Sequence, residues 1–476
     1  MEANLANKKF SAISLFSGAG GMDLGFKLEA SFNLQLANDI LSAPASTYAE
    51  NFGNKIIDIS EFNRNSEIKL PIYLLGDVSE IDFRKLDELS VDIVVGGPPC
   101  QDFSVVRGGE KERQGIKVKR GRLYSYFIRA LTHLQPEIFV FENVPGLKSA
   151  NNGAAYETIL NDFSKLDSNW QEIKKIVGNN ALSSIKNYFI VFSGIVDSAN
   201  LGIPQRRKRL IIIGIRQDLV SSHITKINEL KQKVNFILNG QDSLFKKYPL
   251  TPLEVFEGKP LPDLKKEYKK LIKEYCTVAE DISTQSSNKW KQEVWNKLSF
   301  NIIEDYLKAN NAIEADSNEL EKAFKKHAEL LEELGYYHEK LAGKKFQDNS
   351  NIISMEAEEV LERLKMIPPG ENHEFVSGTK WNVEGRGLSL IYRRIHPLKP
   401  SYTVVAYGGG GTWGYHYERD RGKLTNRERA RIQTFPDYFS FKGSSTEMRA
   451  QIGEAVPPLL AKKIAEIVKR ILNEVG

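Results

Sequence analysis

Cysteine is scarce in this chain, with two in 476 residues. One of them, Cys100, follows the proline pair that ends the apolar run in VDIVVGGPPCQDFSVV. A free cysteine often packs as a small hydrophobe. At the mouth of a strand it can instead be a nucleophile, if the rest of the chain supplies its partners. Glu142 closes a later apolar run, EIFVFENV, where it is either a solvated turn residue or a proton donor converging on the thiolate. In IPQRRKRLIIIGI, Gln205, Arg207 and Arg209 open a further strand, and the two-residue alternation of a strand sets both arginines on one face, away from Lys208. Two guanidinium groups on one face suit an anion or a carbonyl oxygen.

A second group of residues suits a nucleoside ligand. The first apolar run ends in SLFSGAGGMDLGF, where glycines 18, 20 and 21 allow a tight turn and close approach of backbone to a ligand. A dinucleotide fingerprint requires glycine where Asp23 stands, which disfavours a nicotinamide cofactor and a pyrophosphate tail. Asp39 ends the second strand, where it can accept from ribose hydroxyls. Asp77, in GDV after another apolar run, can accept from an adenine amino group.

These groups need strands to place them. Apolar runs recur through the first 216 residues as FSAISLF, LQLAND, IYLLGDV, VDIVVGG, EIFVFENV, YFIVFSGIV and RLIIIGIR, several followed by helical patterns. The alternation predicts an α/β fold, a doubly wound, mainly parallel sheet covered on both faces, with ligands beyond the carboxyl ends of its strands. Residues 1–216 form the expected first domain. After it come amphipathic helices: Leu264, Tyr268, Leu271, Ile272 and Tyr275 share one stripe, and Leu320, Phe324, His327, Leu331 and Leu334 another. Residues 217–440 read as a separate region with a helical insertion about 260–365, and 441–476 as a return to the first domain. Cys276 is expected to be a packed thiol and His327 a structural side chain. A closing amphipathic helix follows Pro457 and Pro458.

Totals set broad bounds. The chain is 41% hydrophobic and 27% charged, as an ordinary globular protein is, with no run of membrane-spanning length and no Cys/His cluster of zinc spacing, so no metal is expected. Two cysteines cannot build a disulfide framework, which fits a reducing cytoplasm. The net charge of +5 is a mild bias, but between Arg107 and Arg122 seven basic residues face two acidic ones, with four glycines. That loop is either a solvated surface or a contact for phosphates; its place beside Cys100 favours the second.

Taken in order, LFSGAGGMDLGF, GGPPCQDFS, FENVPGL, QRRKR, LTNRERARIQTFPD and IGEAVPP resemble the DNA (cytosine-5) methyltransferases, especially the bacterial restriction-modification type. The blocks anchor residues 10–216 and roughly 388–476 and leave the insertion uncovered. The resemblance implies a Rossmann-like methyltransferase with a smaller target-recognition domain, S-adenosyl-L-methionine as cofactor and double-stranded DNA as substrate. It also implies a possible cognate restriction endonuclease, a monomer, no membrane, and a bacterial cytoplasm in association with the nucleoid. Cys100 would add to C6 of a flipped-out cytosine, with Glu142 at N3 under a raised pKa, Arg209 at O2, and Arg207 positioning Cys100 and the ring. Phe16 would stack on adenine above the turn of Ser17, Gly18, Ala19, Gly20 and Gly21. Asp39 and Ile40 would meet ribose and adenine, Asp77 and Val78 would line the adenine, and Pro98 and Leu123 would flank the cofactor. Arg107, Lys117, Lys119, Arg120 and Arg122 would contact DNA from a mobile loop.

The chain departs from the family pattern at three places. Ser14 stands where many members are acidic, Asp39 replaces a more usual glutamate, and Glu454 stands where asparagine is common, near the methionine end of the cofactor. The recognised DNA sequence is not legible: the helical insertion up to GTKWNVEGRGLSLIYRR occupies the place of the target-recognition domain, or else forms an accessory subdomain with readout confined to residues near 370–420. Two other readings remain: a transfer-RNA cytosine methyltransferase of the same family, which the long insertion disfavours, and a catalytically silent DNA-binding relative, which the intact Cys100, Glu142, Arg207 and Arg209 disfavour.

Overall fold

A computed structural model describes residues 9–65, 69–99, 123–178, 184–221, 224–241, 243–383, 391–407 and 414–475. The chain forms two compact units, one of Met1–Asp197, Lys208–Asp242 and Ala455–Gly476, the other of Ser198–Arg207 and Ser243–Glu454.

The first unit is built on eight strands: β1 (Phe10–Leu15), β2 (Phe32–Asp39), β3 (Lys55–Asp58), β4 (Ile72–Leu75), β5 (Ile93–Gly96), β6 (Ile138–Asn143), β7 (Tyr188–Asp197) and β8 (Lys208–Arg216). They lie in the order β3-β4-β2-β1-β5-β6-β8-β7, and only β8 runs antiparallel to its neighbours. Continuous apolar runs make the central strands because both faces are covered; all four residues of β5 are buried. The sequence reading finds seven of the eight. β3 is missed because it is a four-residue edge strand, KIID, with only Ile57 buried.

Helices α1 (Gly21–Glu29), α2 (Ser42–Phe52), α3 (Tyr124–Leu134), α4 (Ala154–Ser164), α5 (Leu166–Val177) and α6 (Ile224–Leu238) belong to this unit. Residues 217–241 thus pack with the first unit, α6 lying against β7. One face of the sheet is filled by Phe127, Phe139, Phe141 and Phe163, with ring centroids 4.4–6.3 Å apart. Such aromatic pairs add about 0.5–1.5 kcal/mol each beyond the area they bury.

The second unit consists of short helices and loops, including α7 (Pro252–Glu257), α8 (Lys265–Lys273), α9 (Ser317–Glu333), α10 (Asn426–Ile432) and α11 (Ser445–Glu454). The two amphipathic stripes become α8 and α9, burying Tyr268, Leu271 and Ile272 and Phe324, His327 and Leu331. His327 is structural: its Nδ1 lies 2.8 Å from Glu254 Oε1, and its Nε2 3.0 Å from the Tyr248 carbonyl. Cys276 corrects the sequence reading, because α8 ends at Lys273 and the thiol falls in the following turn, exposed.

The chain re-enters the first unit with α12 (Pro458–Val475), the closing helix the sequence predicts. It crosses α1 so closely that a Cβ on Gly25 would stand 2.4 Å from that of Ala461, so glycine is required there. Lys469 pairs with Glu29 at 2.7 Å along the same contact.

Candidate active site

Order reverses in the sheet between β1 and its neighbours β2 and β5, and the turns beyond these strands carry the polar residues. After β1 the chain turns through Phe16, Gly18 and Gly20, all at positive φ (56°, 53° and 85°). The left-handed backbone is strained for phenylalanine, and neighbouring contacts hold it. Ser17 donates its N–H to the Asn38 carbonyl at 2.9 Å. Gly18 is held from both sides: its N–H donates to Asp39 Oδ2 at 3.0 Å, and its carbonyl accepts from the Tyr73 hydroxyl at 3.1 Å. Asn38, buried, donates to the carbonyls of Leu74 and Gly76 and so ties the ends of β2 and β4.

Asp39 also accepts from the Leu41 N–H, and burial raises its pKa against these hydrogen bonds. Ile40 beside it is 61% exposed. Asp77 caps the turn Val78–Glu80 by accepting from the Ser79 N–H at 2.8 Å. The side chain of Val78 points into the core. Arg129 of α3 secures that turn, donating to the carbonyls of Val78 and Ser79 at 2.6 and 2.8 Å. Ala19 and Gly21 are buried in the turn, and Leu123 stands at the start of α3.

At the next strand ends, β5 and β6 pair with Gly96 opposite Phe141, which sets Gly97 beside Glu142. Their fit is tight: a Cβ on Gly97 would lie 2.7 Å from Glu142 Oε2. Asn143 donates to the carbonyl of buried Pro98 at 3.1 Å and fastens the residues leading to Cys100 onto β6. Arg209, in β8, places Nε 2.9 Å from Glu142 Oε1, both side chains largely buried. Burial lowers the Arg209 pKa while Glu142 opposes that shift. Cys100 and the loop residues Arg107, Lys117, Lys119, Arg120 and Arg122 lie outside the described residues.

The family model for C-5 cytosine-specific DNA methylases matches residues 10–470. The chain belongs to that family. It is 52% identical over 468 residues to the DNA (cytosine-5-)-methyltransferase M.ApeKI of Aeropyrum pernix, covering 98% of this chain and 100% of that protein. The type II methyltransferase M.NgoFVII of Neisseria gonorrhoeae is 30% identical, over 98% of this chain and 88% of its own length. Among solved structures, a DNA modification methyltransferase encoded within a prophage (E. coli) superposes with a TM-score of 0.51 at 20% identity, covering 98% of this chain and 100% of that one, and agrees in fold.

In this DNA methylase the two predicted arginines do not share a task. Arg209 meets Glu142. Arg207 precedes β8 and belongs to the second unit, where it is fully buried and donates to the carbonyls of Val404, Gly453 and Glu454 at 3.1, 2.8 and 3.3 Å. Strand alternation separates Arg209 from Lys208 as read, but β8 starts only at Lys208, so the pattern does not extend to Arg207. Gln205 is likewise buried in the second unit, bridging the Val404 N–H and Gln433. Glu454 ends α11 with its side chain exposed. Tyr73, Asn38, Arg129, Gly97 and Asn143 shape the site without having been singled out from the sequence. Tyr73 hides within the apolar run IYLL, and only the Asn next to Glu142 in FENV gave a local signal.

Proposed function

We propose that this methylase transfers a methyl group to C5 of a flipped-out cytosine at a recurring site in duplex DNA, through a covalent adduct between Cys100 and C6. The observation that carries the reading is the Glu142 carboxylate, pressed on Gly97 and paired with Arg209, at the strand end where the Gly-Pro-Pro-Cys segment begins. Cytosine C5 is a weak nucleophile until C6 takes up a thiolate, which turns the ring into an enamine. Glu142 gives or shares a proton at N3 to draw off the charge, and Arg209 holds O2. Arg207 acts at a remove, by fixing the backbone of residues 404 and 453–454. S-Adenosyl-L-methionine would supply the electrophilic methyl group. Its support would come from Phe16, the Ser17–Gly21 turn, Asp39 and Ile40, with Asp77, Val78, Pro98 and Leu123 around it; Glu454 would stand near its methionine end, with the carboxylate turned to solvent. Loss of the C5 proton then expels Cys100.

The first unit would supply most of the catalytic groups and the second, which holds most of the 217–440 region, target recognition, with Arg107, Lys117, Lys119, Arg120 and Arg122 neutralising phosphates. A monomer acting on nucleoid DNA in a bacterial cytoplasm, alongside an endonuclease for the same site, completes the reading. Among the described residues no helix is long and apolar enough to cross a membrane. The test incubates methyl-labelled S-adenosylmethionine with duplex DNA and, separately, with transfer RNA, followed by bisulfite sequencing. Label at one recurring DNA motif is expected, and Cys100→Ala should abolish it while cofactor binding persists. Label in RNA alone would move the substrate to transfer RNA, and label in neither would point to a silent relative.

A further inference from the structure

Beneath the glycine turn lies a buried acid for which the reaction has no use. Asp23, in the first turn of α1, is 0% exposed. The Ser14 hydroxyl of β1 is the side-chain donor beside it, and its own N–H at the helix N-terminus helps it. Neither carboxyl oxygen has a partner at ordinary hydrogen-bond distance and angle among the described residues, and the same holds for the buried Tyr48 hydroxyl of α2. Its charge is felt by Tyr48 and Tyr73, and Asp39 of β2 also acts on Tyr73. Lys27, one turn along the same helix, donates to the Asn51 carbonyl at 3.0 Å with its ammonium 5.0 Å over the Phe52 ring, and Lys469 pairs with Glu29. No cation among the described residues acts on Asp23. A carboxylate enclosed in this way loses its hydration without gaining a cation. Burial accordingly pushes Asp23 up to about 7.

What surrounds Asp23 is the floor of the turn. Tyr48 stacks on Phe52 with centroids 4.1 Å apart, and a Cβ on Gly20 would approach these two rings to 2.8 and 2.7 Å. Tyr73 packs on Tyr48 at 4.9 Å and holds the Gly18 carbonyl through its hydroxyl. Movement of Tyr48 therefore reaches both Gly18 and Gly20.

We propose that Asp23 is a positioning residue for the cofactor turn and serves as a neutral acid. Ionised, it draws the Ser14 and Tyr48 hydroxyls toward itself and shifts the aromatic floor on which Gly18 and Gly20 rest. This rests on the reading of the turn as the S-adenosylmethionine site. It follows that cofactor affinity is greatest below neutrality and falls as pH rises through it.

The test is calorimetric titration of the full chain with S-adenosylmethionine and with S-adenosylhomocysteine, which lacks the sulfonium charge, from about pH 6 to about pH 8.5, in wild type and Asp23→Asn. Wild type should lose about five- to ten-fold in affinity for both ligands, and the asparagine variant should lose markedly less. The same slope in Asp23→Asn as in wild type would overturn the proposal. So would a wild-type affinity for S-adenosylmethionine that rises with pH, since Asp23 would then act as a counter-charge to the sulfonium. Should the variant not fold, difference infrared spectroscopy of wild type replaces it: a protonated-carboxyl band must disappear with the same midpoint as the affinity, and a mismatch rejects the idea. Binding with no pH slope sinks this proposal alone, whereas no binding at any pH sinks the reading of the turn with it.

Discussion

The two units satisfy their buried backbone by different means. In the first, strand ladders pair the carbonyls and N–H groups, and the core between sheet and helices is apolar and aromatic. The second has no named strand among the described residues, and guanidinium groups take over the task. Arg394, fully buried, donates to the carbonyls of Leu364, His416, Glu418 and Arg419 at 2.5–3.1 Å. Arg431 reaches the carbonyls of Val255 and Glu339 and forms a two-point pair with Asp437, and Arg427 joins Asp348, Ser350 and the Phe439 carbonyl. Arginine suits this use because its planar fork donates several hydrogen bonds at once and stays charged. The lesson concerns charge: a segment such as RERAR reads as a polyanion-binding face, yet every residue of it is buried. Part of the formal +5 never reaches the surface.

The contrast can be broken at several points. The largest effect is expected from Arg394→Met, which leaves several buried carbonyls without donors. It should cost the second unit about 3–5 kcal/mol. Limited proteolysis should then cut within 364–421 while the sheet remains resistant; equal cleavage of both units would erase the distinction. Asp23 is the counter-case, a buried ionisable group in the apolar unit with no charge partner. Its folded pKa of about 7 lies above the usual 3.8, so the folded state holds the proton more tightly. Stability from this group is therefore complete below about pH 4 and is lost as pH rises to about 7, on the order of 4 kcal/mol in all. Denaturant melts of wild type and Asp23→Asn across that window should converge at low pH and separate above it.

Gly97→Ala tests a close contact rather than a charge. The added methyl must displace Glu142, and a shift near 1 Å is expected to slow methyl transfer about 100-fold with little change in DNA affinity, as single-turnover and filter-binding assays would show. Tyr73→Phe should have the smallest effect. Losing one neutral hydrogen bond to the Gly18 carbonyl costs about 1 kcal/mol, roughly a five-fold weaker cofactor Kd by calorimetry.

Legibility followed the physics of each element. Central strands were readable because two covered faces demand unbroken apolar runs, while β3, short, at the edge and with only Ile57 buried, offered no such run. The glycine turn was readable because only glycine tolerates its backbone cheaply at Gly18 and Gly20. Its supports were not: Tyr73 looks like strand hydrophobe, and nothing local announces that its hydroxyl meets a residue 55 positions away. Arg207 misled for a related reason. Alternation was extended one residue past the true start of β8, and burial among carbonyls is set by segments some 200 positions later. Cys276 misled because a helical stripe continued in sequence beyond where α8 stops.

The contact between α1 and α12 has a bearing on synthesis. Lys469 and Glu29, partners along it, are 440 residues apart, and Gly25 is shaped to receive Ala461. As the chain leaves the ribosome, the first helix emerges early but its cover arrives only after the entire second unit has been made. Until then Gly25 and the face of α1 around it stand open. Final closure of the sheet unit is consequently a late, long-range event, which contact-order reasoning makes slow and chaperones would have reason to attend. The first helix of this methylase thus waits, through the synthesis of the whole second unit, for the helix that fits against Gly25 and pairs with Glu29.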